Sequence, residues 1–254
     1  MKIYNAFGIK PTNTFTSAGS DYYIPHITNE RQKALAYKAF EKSYNVTNED
    51  LVMLENTVNS YLSEENGAAD IIHLFLGYHN AKLEIYKKIS LEEAMKYFID
   101  EFLIFDSKKN VWGVQMTIND TLFINSGIKI ALDTVLSDQV APNPSNAVNM
   151  LRLLGIGVAG LYVNKSGMGN KGYDVRACLV DEDYAGYVHL SMAFTKDTEN
   201  VKNQNIFCGD KLTQMMLIPV FHTEYEEVNE DIYNQIMSES SRKDSGFGSS
   251  DVKH

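Results

Sequence analysis

Apolar residues between Asn29 and Asp106 recur at steps of three and four. Leu51, Leu54, Val58 and Leu62 form one such series, Ile71, Ile72, Phe75 and Leu76 a second, and Met95, Phe98, Ile99 and Phe102 a third. Ala34, Leu35, Tyr37, Ala39 and Phe40 lie in a run rich in Lys, Glu and Ala. This is the helical period, so the stretch is read as three or four helices, each with an apolar face to bury. Thr47 with Asp50, and Ser90 with Glu93, have the spacing of capping boxes and mark two separate helix starts.

The flanking chain is patterned differently. Lys2-Ile3-Tyr4 and Asp21-Tyr22-Tyr23-Ile24 are strand-like, and Pro25 forbids a helix from continuing there. Trp112–Ile118 and Thr121–Leu132 also suit strands, with Asn119-Asp120 as the turn between them. Asn143-Pro144-Ser145 is expected to open a short helix carrying Val148, Met150, Leu151, Leu153 and Leu154 and ending near Gly155. From Gly160 to Tyr225 short apolar runs alternate with glycine turns. Beyond residue 226 the chain is first acidic and then rich in Ser and Gly, the composition of a mobile tail.

Composition narrows the function classes. With 254 residues and 44% hydrophobic content the chain can bury a full core. A net charge of −10 and a pI near 5.1 argue against a nucleic-acid or anionic-membrane surface, which needs a cationic footprint. Cys178 and Cys208 are the only cysteines, with no CxxC pair and no His/Cys cluster at zinc spacing, so reduced thiols in a cytoplasmic setting are expected. His73 and His79 stand six apart rather than four, and are read as packing or surface histidines. No run approaches the roughly 18 apolar residues of a membrane span.

Five short segments carry candidate chemistry, and each has a plainer reading as a turn. Ala18-Gly19-Ser20-Asp21 offers Asp21 to a magnesium shell or to hydrogen bonds beside a phosphate. Lys165-Ser166-Gly167-Met168-Gly169-Asn170-Lys171-Gly172 combines cations, a hydroxyl and glycines that let backbone amides approach phosphate oxygens. Asp181-Glu182-Asp183-Tyr184-Ala185-Gly186 puts carboxylates where a strand meets a turn, able to deprotonate a water, with a tyrosine ring to pack on a sugar. Gly209-Asp210-Lys211-Leu212-Thr213-Gln214 looks like a hairpin turn entering the strand Met215–Val220. Arg242 and Ser245-Gly246-Phe247-Gly248-Ser249-Ser250 place one cation and one aromatic in a glycine-rich tail.

Taken in order, these segments resemble the motifs of the trimeric dUTPase family: AGxD, then (R)SG with a following Lys-Gly, then a hairpin ending in IDxDYxG, then GDRxxQ, then R…GFGS(S/T). Leu122–Leu132, LFINSGIKIAL, is similar to the family's IPTGI segment. The resemblance covers residues 1–26, 121–132 and 160–250, and a phage or viral member with an unusual insertion would suit it. It implies a mainly β fold: a dUTPase-like β-barrel or jelly-roll core with an inserted α-helical subdomain. The core would comprise 1–26, 121–132 and 160–228, with a mostly helical insertion at 27–120 and a second short one at 133–159. Residues 229–254 would be a flexible C-terminal arm closing over the active site.

The same resemblance implies a homotrimer that hydrolyses dUTP to dUMP and pyrophosphate with Mg2+. Asp181 would activate the water that attacks the α-phosphorus. Lys165, Ser166, Gly167 and Gln214 would contact phosphates, Tyr184 the deoxyribose, and the backbone of Cys178, Leu179 and Val180 the uracil edge. Arg242 would clamp the γ-phosphate, Phe247 with Gly248 would cover the uracil, and Asp21 would stand in the outer shell of the magnesium. Lys165 replaces the usual arginine, Cys178 a common glycine, Arg176 stands at a frequently small position, and Arg242 lacks the usual following glycine. The alternative is a dUTP-sensing regulatory module whose helices engage a protein partner; their plainer role is core or oligomer support. A deaminase of the dCTP-deaminase branch would need a catalytic glutamate where this chain has Asp181.

Overall fold

The structure, a computed structural model, describes residues 2–13, 17–62, 67–81, 89–132, 154–177, 179–195, 203–223, 225–236 and 238. The chain divides into two compact units, Met1–Phe221 and His222–His254.

In the first unit the helical pattern resolves, among the described residues, into four helices: α1 (Glu30–Tyr44), α2 (Asn48–Leu62), α3 (Ala68–Ala81) and α4 (Leu91–Glu101). Asn29 caps α1 by accepting from the Gln32 amide at 2.9 Å, and Asn45, at φ 53°, ends it in the left-handed region. At α2 the Thr47 hydroxyl accepts from the Asp50 amide, while the Asp50 carboxylate takes the Thr47 amide and hydroxyl at 2.8 Å. Ser90 and Glu93 form both bonds of a capping box at α4. On α3 Ile71, Ile72, Leu74, Phe75, Leu76 and Tyr78 are all buried, so this helix is covered on nearly every side. It packs on the long strand β5 described below.

Among the described residues three antiparallel sheets accompany the helices. The first orders β1 (Lys2–Asn5), β5 (Thr121–Ala131), β9 (Tyr187–Phe194) and β7 (Tyr173–Val175) as β1-β5-β9-β7. The second orders β10 (Asn203–Phe207), β4 (Val111–Thr117) and β3 (Leu103–Asp106) as β10-β4-β3. The third orders β2 (Ser20–Tyr23), β11 (Lys211–Phe221), β6 (Ile156–Asn164) and β8 (Leu179–Val180) as β2-β11-β6-β8. One continuous apolar cluster joins Phe7, Phe40, Phe75, Ile124, Leu190, Ile206 and Met215, so the helices share the core of the sheets instead of enclosing their own.

Several local expectations change. Helical character does not reach Asp106: α4 ends at Glu101, and Leu103–Asp106 is a strand paired with β4. Asp106 Oδ1 accepts the amides of Lys108 and Lys109, at 3.0 and 3.2 Å, which folds the chain back into that hairpin. The Asn119-Asp120 turn is present, yet the strands it links lie in different sheets. The buried Asp120 carboxylate makes this corner, accepting from the Thr117 amide at 2.7 Å, the Thr117 hydroxyl at 2.9 Å and the Tyr78 hydroxyl at 3.0 Å. Gly209-Asp210 is likewise a corner between sheets: Asp210 Oδ2 accepts the Phe207 amide at 2.9 Å, and β10 and β11 pair with other strands. β7 and β8 also lie in different sheets, because β7 pairs with β9 and β8 with β6. The expected helix from Asn143 to Gly155 lies, up to residue 153, outside the described residues.

In the second unit the described part of the expected C-terminal arm contains a helix, α6 (Glu230–Ile236), the one-turn α5 (Ser166–Asn170) lying earlier in the chain, after β6. Asn229 caps it through the Ile232 amide at 2.9 Å, and none of its residues is buried.

Candidate active site

The third sheet brings three of the five segments together. Asp21 on β2 is the cross-strand partner of Gln214 on β11, and Gln214 is in turn opposite Val163 on β6. Cross-strand partners project on one face, so the carboxylate and the carboxamide are neighbours. Gln214 Nε2 donates to the Gly19 carbonyl at 3.2 Å. A Cβ on Gly19 would lie 2.5 Å from the Met215 carbonyl oxygen, so glycine is what lets the AGSD turn lie against β11.

Lys165 follows β6 directly and starts a one-turn helix, α5 (Ser166–Asn170). Its ammonium donates to both Asp21 oxygens, at 2.9 and 3.0 Å. Lys211, the first residue of β11, donates to Asp21 Oδ2 at 3.0 Å and lies 5.5 Å from the centroid of the Tyr23 ring. Burial works against the Asp21 charge, but the two ammoniums overcome it and hold its pKa below the ordinary carboxylate value. The Lys211 pKa is raised, first by its hydrogen bond to Asp21 and then by Tyr23. Sequence reasoning passed over Lys211; the signal was a cation at the arginine position of GDRxxQ.

The remaining expected residues are placed as follows. Ser166 and Gly167 are exposed on α5, and the space beside Gly167 is open. Asn164 ties this end of β6 to β7, donating to Asp174 Oδ1 at 2.9 Å and accepting from the Val175 amide at 2.8 Å. Leu179 and Val180 form β8, paired with Leu161 and Gly160 of β6. Asp181, exposed, begins the turn after β8, and its carbonyl accepts the Tyr184 amide at 3.2 Å. The Tyr184 hydroxyl donates to the Tyr187 carbonyl at 2.7 Å, laying its ring against Gly186, where a Cβ would stand 2.4 Å from that hydroxyl oxygen. Neither Asp181 nor Tyr184 is hydrogen-bonded to Asp21, Lys165 or Gln214. Cys178, Arg242, Phe247 and Gly248 lie outside the described residues.

Asp21 does not fit the outer shell of a magnesium ion in this arrangement. Both its oxygens already accept from ammoniums, whose charges would oppose a divalent cation at the same place. Among the described residues no group of three or more His, Cys, Asp or Glu side chains could hold a metal. His73 is a packing residue, stacked on Phe40 at 4.8 Å, and burial, with a smaller effect from His189, lowers its pKa to about 3.

Curated proteins match this chain. Over 96 residues it is 35% identical to the deoxyuridine 5'-triphosphate nucleotidohydrolase of Legionella pneumophila (strain Paris), covering 37% of this chain and 57% of that protein. Over 141 residues it is 27% identical to the protein of the same name from Wigglesworthia glossinidia brevipalpis, covering 54% and 72%. Over 95 residues it is 30% identical to that of vaccinia virus (strain Copenhagen), covering 37% and 57%. Over these stretches the chain is similar in sequence to dUTPases. It spans 57% and 64% of the first two dUTPases that it matches. No protein-family profile matches it. A dUTPase of Staphylococcus bacteriophage 80alpha overlaps 59% of this chain and 90% of its own at 14% identity, with a TM-score of 0.40. The EIAV dUTPase overlaps 52% and 93% at 15% identity, with a TM-score of 0.33. Scores this low add nothing to the fold described above. Among the described residues no helix is long and apolar enough to cross a membrane.

Proposed function

We propose that the chain is a dUTP pyrophosphatase, hydrolysing dUTP to dUMP and pyrophosphate. The observation that carries this reading is the meeting of three dUTPase-like segments at Asp21. Lys165 and Lys211 reach it from 144 and 190 positions away in the sequence, and Gln214 stands opposite it across the strands. Relatives named for the same reaction support it.

In this reading Lys165, Ser166, Gly167 and Gln214 hold the phosphates, the ammonium as a point charge and the carboxamide as a directed donor. Asp181 takes the proton of a water that attacks the α-phosphorus in line, and pyrophosphate leaves. Its exposed position at the end of β8 suits a base that meets its water only once substrate is bound. The Tyr184 ring, fixed by its bond to Tyr187, packs on the deoxyribose and leaves no room for a 2′-hydroxyl. The backbone of 178–180 reads the uracil edge, where cytosine presents the wrong donors and acceptors. Arg242, Phe247 and Gly248 close the site. Magnesium, which the resemblance implies, finds no fit at Asp21, and no step here passes through it.

A homotrimer is part of the same proposal. The second half of β11, Met216-Leu217-Ile218-Pro219-Val220-Phe221, is wholly apolar and none of it is buried. Leu217 and Phe221 are exposed, a surface that suits burial against another copy of the chain.

Pyrophosphate release from dUTP, dCTP, dTTP and UTP tests the reading. Turnover of dUTP alone is expected; binding of dUTP with no turnover would instead favour a sensing module.

A further inference from the structure

The link from β2 to α1, residues 24–29, is stitched at two points to elements far along the chain. At its start the Ile24 amide donates to the Asp210 carbonyl and the Ile24 carbonyl accepts from the Gly209 amide, both at 3.0 Å. Ile24 is buried, so these bonds close the corner from which β11 sets out. Two residues on, His26 Nδ1 lies 2.6 Å from Asp70 Oδ2, and the Ile27 amide donates to Asp70 Oδ1 at 2.7 Å. Asp70 stands in the first turn of α3, and the thiol of Cys208, the residue after β10, is hydrogen-bonded to the same carboxylate. The Asp70 side chain has no exposure, while that of His26 is 36% exposed. A buried carboxylate is costly unless donors surround it, so α3, the link and the β10–β11 corner are held together through this one group.

His26 is the member of this junction whose charge changes near neutral pH. Around it stand Asp70 from α3, Cys208 and Asp210 from the corner, and, beside a cavity of about 70 Å3 that Ile27 and Thr28 line, Glu30 and Lys33 of α1 and Glu55 of α2. Lys33 pairs with Glu55, and Asp70 is the carboxylate in contact with the ring. The hydrogen bond to Asp70 raises the His26 pKa against a smaller opposing effect of burial.

We propose that His26 is a positioning residue: through Asp70 it locks α3 to the β10–β11 corner, and so sets where β11 presents Gln214 to the substrate. The effect on substrate rests on the proposed function; the lock itself rests on the hydrogen bonds. A charged His26 makes the bond to Asp70 charge-assisted, and a neutral one keeps a weaker bond in the same place. The lock is therefore tight below the folded pKa of His26 and loosens as pH rises through it. Binding weakens with it, while the step assigned to Asp181 does not change, because Asp181 follows β8, at the opposite edge of the β2-β11-β6-β8 sheet from β2.

His26→Asn separates positioning from plain structural support, since asparagine keeps a donor for Asp70 and cannot take up a proton. Both proteins are assayed for pyrophosphate release from dUTP between about pH 6 and about pH 9, a range that brackets the titration of His26. Taking the ratio of variant to intact chain cancels the titration of the triphosphate itself. The KM ratio is expected to be about fivefold at the acid end and to fall to about one at the alkaline end, with the kcat ratio constant. A KM ratio that does not change with pH, whatever its size, leaves His26 a structural residue and overturns the proposal. Amide exchange in the intact chain needs neither the variant nor substrate. Protection of the Ile24 and Gly209 amides is expected to fall several-fold as the His26 ring resonances titrate, and unchanged protection overturns the lock. If His26→Asn does not fold, or neither protein releases pyrophosphate, this exchange decides. Absence of release with the expected loss of protection defeats the dUTPase reading and leaves the lock. Release with a constant KM ratio defeats the positioning role and leaves the dUTPase reading.

Discussion

Lys165, at the end of β6, holds the carboxylate of Asp21, on β2, at 2.9 Å across 144 positions of sequence. Lys211 shares that carboxylate, so the two lysines back each other up. Lys165→Ala or Lys211→Ala alone is expected to lower stability little, since each lysine is partly exposed and leaves the other in place. The double variant leaves a buried carboxylate without a cation, and its loss exceeds the sum of the two. Urea denaturation of the four proteins of the cycle measures it; additive losses would mean that Asp21 does not depend on the pair.

Asp120 is expected to be worth more than its surface turn suggests. Its carboxylate satisfies the Thr117 amide, the Thr117 hydroxyl and the Tyr78 hydroxyl at the corner where the chain leaves one sheet for another. Asp120→Ala strands these donors and should lower stability by about 2–4 kcal/mol, seen as a fall in Tm.

Acid should destabilise the fold through its buried histidines. Burial lowers the pKa of His73 to about 3 and that of His189 to about 4, from an ordinary 6.5. The unfolded chain therefore takes up protons below pH 6.5 that the folded chain refuses, and stability present above that pH is lost as pH falls toward 4. His26 works in the other direction. Its hydrogen bond to Asp70 raises its pKa, so its contribution is full below pH 6.5 and is lost as pH rises through the folded value. His73→Leu should flatten the fall in Tm between pH 6.5 and 4; an unchanged slope would place the uptake elsewhere.

Gly186 is expected to govern sugar selectivity. An added Cβ displaces the Tyr184 ring by its far end, which can swing away at little cost to the fold. Gly186→Ala should therefore change stability by about 0.5 kcal/mol or less while narrowing the preference for dUTP over UTP, read from kcat/KM for both.

The sequence was most legible where a rule is local. The capping pairs at Thr47/Asp50 and Ser90/Glu93 and the apolar series Leu51-Leu54-Val58 are set within a few residues, and they appear as read. What failed depends on partners far along the chain. Asn119-Asp120 and Gly209-Asp210 read as hairpin turns because turn chemistry specifies a reversal, not the sheet that each strand then joins. Leu103–Asp106 carries residues that suit a helix or a strand, and pairing with β4 decides between them. At the site, the motif order pointed to Asp21, Lys165 and Gln214, which the fold does bring together. Their electrostatics were not legible, because spacing cannot reveal that two lysines converge on one carboxylate.

The most direct measurement is pyrophosphate release from dUTP by the intact chain and by Asp181→Asn, alongside dUTP binding to each. Asp181→Asn is expected to turn over about 10²–10⁴-fold more slowly while binding dUTP as before, since a general base acts on the water and not on the ground-state phosphates. An intact chain that releases no pyrophosphate, or an Asp181→Asn variant as fast as the intact chain, would contradict the account.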